Sequence, residues 1–243
     1  MARTQIEWTQ ETWNPTKGCT KISAGCKYCY AEVFARRLQA MGHKDYIDGF
    51  KFRILPHRLE YPLTIKRPTI FFVNSMSDLF HEECPWEFID KVFEIINRTP
   101  HHIYQILTKR AEIMKNYFLG RGNSVPANVW LGVTVESKAY RKRIDLLRQI
   151  NARIRFLSFE PLLSDLGTIN LDGIHWVIVG GESGPRARPM KKEWVLSIKR
   201  QCEDQGVKFF FKQWGTWGED GIKRSKKANG SLLDGQQYVQ MPI

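Results

Sequence analysis

Apolar residues along the chain gather into short runs separated by polar and glycine-containing segments. Six runs, at 69–73, 102–107, 129–135, 154–159, 176–179 and 207–211, are rich in β-branched or aromatic side chains and predict strands. Ile70-Phe-Phe-Val73 and Trp176-Val-Ile-Val179 are apolar throughout, as strands buried on both faces of a parallel sheet are. A seventh strand is expected within 8–14.

Helical spacing fills the intervals. Ile89, Val92, Phe93 and Ile96 follow Pro85, a residue suited to a first helical turn. Tyr140, Ile144 and Leu147 form a stripe after Ser137 as a cap, and Val195, Ile198 and Cys202 form another that Gly206 stops. Residues 30–42 predict a further helix, with Phe34, Leu38 and Met41 on its apolar face and Gly42 at its end. The 160–174 connection, with Gly167 and Gly173, suits only a short turn. Strand and helix in alternation predict an α/β fold: an incomplete parallel (β/α) barrel of about six to seven strands, TIM-barrel-like. Before residue 215 there is no linker, repeat or low-complexity tract. The expectation is a partial barrel over 1–214 and a C-terminal tail, 215–243, packing on or covering its rim.

At 243 residues and 42% apolar content the chain can bury one core of barrel size. Lys and Arg outnumber Asp and Glu by 37 to 25, a net charge of +12. That excess suits a polyanionic partner, nucleic acid first, and equally a solvated surface. No apolar stretch approaches the roughly 18 residues of a membrane span. The start, Met1-Ala-Arg-Thr-Gln-Ile-Glu-Trp8, lacks the apolar run of a signal peptide. The expected setting is a reducing cytoplasm, where clustered cysteines bind metal rather than form disulfides.

Three of the five cysteines lie in one segment, Cys19-Thr-Lys-Ile-Ser-Ala-Gly-Cys26-Lys-Tyr-Cys29, with C-x6-C-x2-C spacing. Three thiolates are one short of a closed zinc or cubane site, and a metal with an open position can engage substrate. A distant fourth ligand would close a structural zinc site instead; His43, His57 and His81 are candidates, none at tight finger spacing. Cys84 and Cys202 read as small core residues, and His101 and His102 as structural.

In parallel α/β proteins functional groups gather at the carboxyl ends of strands. Here those ends read Asn74-Ser-Met-Ser-Asp78, Thr108-Lys-Arg110, Thr134-Val-Glu136, Ser158-Phe-Glu-Pro161, Gly180-Gly-Glu-Ser-Gly184 and Lys212-Gln-Trp214. A turn role accounts for any one of them; the whole set around one rim points to a site. Cys29 falls at the start of the 30–42 helix, whose partial positive charge favours a thiolate. Lys109 and Arg110 are candidates to hold a carboxylate or phosphate, and Glu136 and Glu160 to bind ribose hydroxyls or transfer protons. The 215–230 segment mixes aromatics, glycines and cations, including Trp217, Lys223, Arg224, Lys226 and Lys227. It suits a substrate-covering flap or a nucleic-acid contact.

A three-cysteine loop between the first strand and first helix of such a barrel, with Tyr28 directly before Cys29, resembles the radical S-adenosylmethionine superfamily. Leu107-Thr-Lys109 and Leu157-Ser-Phe-Glu-Pro161 resemble its spore-photoproduct-lyase-like branch. Over residues 5–242, including Leu233-Asp-Gly235 and Pro242, the chain is most similar to uncharacterised phage and bacterial proteins named after phage gene products and marked by these cysteines. The resemblance implies a [4Fe–4S] cluster on Cys19, Cys26 and Cys29. Its fourth iron would chelate S-adenosyl-L-methionine, which one-electron reduction would cleave to methionine and a 5′-deoxyadenosyl radical. Tyr28 would lie near the adenine, Asn74 and Ser75 where the methionyl amino group is held, and Gly180 and Gly181 where the adenosine approaches. The resemblance implies an external electron donor; the net charge and the likeness to phage proteins together make nucleic acid (DNA or tRNA) the candidate substrate, and a protein encoded nearby is a candidate partner.

Two departures stand out. The family's usual spacing is C-x3-C-x2-C, and its Gly-Gly-Glu element follows the second strand, whereas Gly180-Gly-Glu182 follows the sixth here. The alternative reading is a zinc- or iron–sulfur-stabilised protein that binds nucleic acid or transfers electrons without catalysis.

Overall fold

The structure, a computed structural model, describes residues 4–242. Seven strands pair in sequence order, every neighbouring pair parallel: β1 (Glu11–Trp13), β2 (Ile70–Val73), β3 (Ile103–Thr108), β4 (Val129–Thr134), β5 (Ile154–Phe159), β6 (Trp176–Gly180) and β7 (Lys208–Gln213). The fold is the expected α/β one, with the sheet curled into an incomplete TIM-like barrel. Helices α1 (Tyr30–Ala40), α2 (Trp86–Arg98), α3 (Ala111–Leu119), α4 (Lys142–Arg148) and α5 (Lys192–Asp204) follow β1, β2, β3, β4 and β6. The stretch after β5 carries turns, as its glycines suggested. Helix α3 was not among the expected elements; it brings Met114, Tyr117 and Phe118 to the core.

Side chains on successive strand positions point to opposite faces, and the sheet uses both. Leu157 and Phe159 of β5, with Val177 and Val179 of β6, join the large core shared with the helices. Phe156 and Trp176 turn the other way, into a cluster with Trp8, Phe72, Trp130, Ile178 and Phe210 that contains no helical residue and fills the concave side. Gly132 on β4 is required there, because a Cβ would lie 2.5 Å from the Phe156 ring.

Helix α1 departs from expectation. Its buried residues are Ala31 and Ala35, while Phe34 and Met41 are 46% and 73% exposed. Ala31 and Ala35 pack with Tyr46 and Met76, and the small side chains let the helix lie close to its neighbours. The predicted Phe34–Leu38–Met41 face is therefore mostly solvent-facing, with Leu38 partly buried.

The tail does more than meet the rim. Thr216 N donates to Glu182 O at 2.9 Å and Trp217 Nε1 to Ala187 O at 2.6 Å. Further on, Phe211 N donates to Tyr238 O at 2.8 Å and Gln240 N to Phe209 O at 3.2 Å, in antiparallel pairing beside β7. Main-chain groups on the outer edge of β7 are thereby satisfied, as an edge strand needs. Met241 then packs against the concave aromatic cluster. Among the described residues no helix is long and apolar enough to cross a membrane.

Candidate functional site

The cysteine loop leaves β1 at the carboxyl rim. A short antiparallel pair, Thr16–Lys17 with Arg53–Ile54, starts it. The Lys17 ammonium, fully buried, is held by Asp48. Gly18 has φ +73, and a Cβ there would fall 2.2 Å from Lys51 O, so only glycine fits. Cys19 N donates to Phe50 O at 3.2 Å. Cys26 closes a short 3-10 turn, and Cys29 is the extended N-cap of α1, at the positive end of the helix dipole.

Later strand ends clamp this loop. Gly25 N donates to Glu136 Oε1 at 3.1 Å, and Arg188 Nη2 to Ala24 O at 3.0 Å. Arg110 Nη1 donates to Cys19 Sγ at 3.3 Å, while its Nη2 donates to Thr20 Oγ1 at 2.7 Å and Thr20 O at 3.3 Å. All three cysteines are free and partly exposed, whereas Cys84 and Cys202 are buried.

The thiols are not equivalent. Burial, helped by the Asp78 carboxylate and opposed by Arg110, pushes Cys19 up to about 11. Burial also acts to raise Cys26, but the Lys109 ammonium and hydrogen bonds from the Ser23 region outweigh it and hold that thiol below its usual value. Burial pushes Cys84 and Cys202 up to about 12, in keeping with core roles.

The remaining predicted residues fall around this loop, several with their groups already engaged. Glu136 is fully buried, with Oε1 accepting from Gly25 and Oε2 from Arg143 Nη1 at 2.8 Å. Burial opposes its ionisation, but Ser23, Lys109 and Arg143 outweigh that and keep it low. It is thus an anchor for the loop rather than a free base. Glu160 pairs with Lys212 Nζ at 2.8 and 3.0 Å and accepts from Gln213 at 3.3 Å. The Gly181 Cβ position lies 1.9 Å from Trp214 O, and that of Gly180 lies 3.2 Å from Glu160 Oε1. The close approach these glycines allow is to this chain's own atoms. Glu182 is held by Arg188, Nε to Oε2 at 2.8 Å.

Tyr28 sits under cations: Lys27, Arg186 and Arg188 lie 5.4, 5.6 and 5.3 Å from its ring centroid. Ser75 donates to Asn14 Oδ1 at 3.2 Å, and its carbonyl accepts from the Tyr30 hydroxyl. The Asn74 side chain is not engaged in this way. It is 3% exposed, has φ +63, and neither its side-chain nitrogen nor its oxygen has a partner among the described residues. A buried amide left so costs about 1–3 kcal/mol. Asp78, Lys212 and Arg188 were missed as individual site residues. Lys212 and Asp78 were visible only as members of strand ends, and nothing local marks Arg188.

The zinc alternative finds no ligand. His43 Nδ1 accepts from Asp45 N at 3.2 Å, His57 lies 3.3 Å from Asp45, and His81 contacts Thr20 Oγ1 at 3.1 Å while stacking on Phe52. Among the described residues no three Cys, His, Asp or Glu side chains are placed to hold one metal ion. Thiolates on one zinc must lie within about 4 Å of each other, given a Zn–S bond near 2.3 Å. A four-iron cluster takes one cysteine per iron. The all-sulfur donor set is the kind such a cluster takes, and the Asn74 amide is left with polar atoms unpaired.

The family described as protein of unknown function (DUF5131) matches residues 3–242, and the chain belongs to it. No curated protein matches. Among solved structures, spore photoproduct lyase complexed with dinucleoside spore photoproduct is similar at 12% identity and a TM-score of 0.45, over 76% of this chain. The match spans 58% of that chain.

Proposed function

We propose that this family member is a radical S-adenosylmethionine enzyme whose [4Fe–4S] cluster is held by Cys19, Cys26 and Cys29. The observation that carries the reading is a loop of three cysteines at the carboxyl rim of an incomplete parallel barrel, clamped there by groups from later strand ends. When bound, the cluster and S-adenosylmethionine supply a 5′-deoxyadenosyl radical able to take a hydrogen atom from a substrate.

The chain's own part is placement. The unpaired acceptor and donor of Asn74 suit the methionyl amine and carboxylate, respectively. Glu136, Arg110 and Arg188 keep the loop in one shape. The aromatic cluster below excludes water from the concave side. Lys27, Lys109 and Arg186 stand on the cysteine side of the rim, and with the +12 charge they support a nucleic-acid substrate and an acidic electron donor.

Anaerobically reconstituted protein is expected to be brown, to hold about four irons per chain, and to lose both properties in any Cys→Ala variant of the three. With dithionite it should release 5′-deoxyadenosine and methionine. Stoichiometric zinc without iron would overturn the reading. A cluster that leaves S-adenosylmethionine intact would make the chain an electron-transfer protein.

A further inference from the structure

Arg110 is 5% exposed, and its guanidinium has five N–H groups to satisfy. Nε forms an ion pair with Glu82 Oε2 at 2.9 Å but makes no hydrogen bond. Nη2 takes the Thr20 carbonyl and hydroxyl. Nη1 is shared between Asp78 Oδ2 and Cys19 Sγ, both at 3.3 Å. Asp78 is itself immobilised: its carboxylate accepts from Thr108 Oγ1 at 2.6 Å, Phe80 N at 3.1 Å and Lys109 N at 3.1 Å. A continuous chain of bonds thus runs from the ends of β2 and β3 to one sulfur. Cys26 has the Ser23 hydroxyl at 3.5 Å, nearby backbone groups of Ile22 and Ser23 and the Lys109 ammonium, and Cys29 has the helix end. Among the three thiols a guanidinium touches Cys19 alone.

We propose that Arg110 is a positioning residue that aims an N–H at the Cys19 sulfur and so raises the reduction potential of the cluster this loop holds. The inference rests on the cluster reading above. Donation to a ligating sulfur stabilises the more negative, reduced state. The couple concerned moves one electron, from dithionite to the cluster, with no bond or proton exchanged. Lysine could keep the charge but not the fork that meets Asp78, Thr20 and Cys19 together.

The test is a potentiometric titration of anaerobically reconstituted protein, followed by the spectroscopic signal of the reduced cluster without S-adenosylmethionine. In R110Q the ratio of reduced to oxidised cluster at a fixed poise should fall about tenfold, a drop of about 59 mV for one electron, at unchanged iron content. R110K should shift the same way by less, and Arg121→Gln, on the outer surface, not at all. An R110Q cluster with full iron and the wild-type potential would overturn the proposal. Should R110Q fail to hold iron, R110K decides: a lowered potential supports the directed bond, and a wild-type potential overturns it. A wild-type chain that takes no iron would instead remove the cluster reading, a failure visible before any variant is made.

Discussion

Along β5 and β6 the concave positions near the strand starts carry Phe156 and Trp176, while the residues just past the strand ends include Glu160 and Glu182. The floor is dry, aromatic and indifferent to protonation. Trp176 alone meets Trp8, Trp130, Phe156 and Phe210 within 6.1 Å of its ring centroid. The rim carries paired charges, buried or half-buried: Arg110 with Asp78, Arg143 with Glu136, Arg188 with Glu182, Lys212 with Glu160. Buried ions add little net stability even when paired, but removing one partner is costly. The floor therefore stabilises the fold, and the rim spends conformational specificity on holding one loop in place.

The largest expected effect is at the floor. Trp176→Ala should lower the stability of the metal-free protein by about 3–5 kcal/mol in urea denaturation, and a loss below about 1 kcal/mol would break the distinction. Glu136→Ala comes next, at about 3 kcal/mol, because it removes the carboxylate opposite the buried Arg143 guanidinium and leaves the Gly25 N–H unpaired. Its signature should be local as well, with faster amide hydrogen exchange at residues 24–26 than in the Trp176 variant.

A third substitution should move stability the other way. Asn74→Gly removes an unpaired buried amide and suits φ +63, so the metal-free protein should gain about 1 kcal/mol. Reconstituted protein should at the same time bind S-adenosylmethionine more weakly by calorimetry; undiminished binding would take Asn74 out of the site. The smallest effect is on stability but sharp in chemistry. Because Cys19 is raised to about 11 while Cys26 is lowered, iodoacetamide should alkylate Cys26 well before Cys19 at neutral pH. Cys19 should react appreciably only as the pH climbs toward its raised value, and peptide mapping of the metal-free protein reads both rates.

The elements most legible in the sequence were those with local periodicity. The strand runs, the helix after Pro85 and the cysteine loop at a helix start follow from spacing and caps, and the structure has them. Groups that act across the fold were not legible. Gly181 looks the same in sequence whether its missing side chain makes room for a ligand or for the Trp214 carbonyl. Glu136 reads as a free rim carboxylate until Gly25 and Arg143 are seen on either oxygen. On α1 the larger side chains suggested the buried face, but close packing against Tyr46 and Met76 selected alanines instead. The pairing of residues 238–240 with β7 leaves no periodic trace in so short a segment.

The clamps on the cysteine loop span 91 residues to Arg110, 111 to Glu136 and 164 to Arg188. Contacts so distant along the chain form slowly, since the intervening loops must close first. The loop should therefore be among the last parts of the chain to acquire slow hydrogen exchange during refolding. Its thiols therefore stay accessible while the barrel assembles, and the folding clock, rather than a separate gate, sets when that accessibility ends.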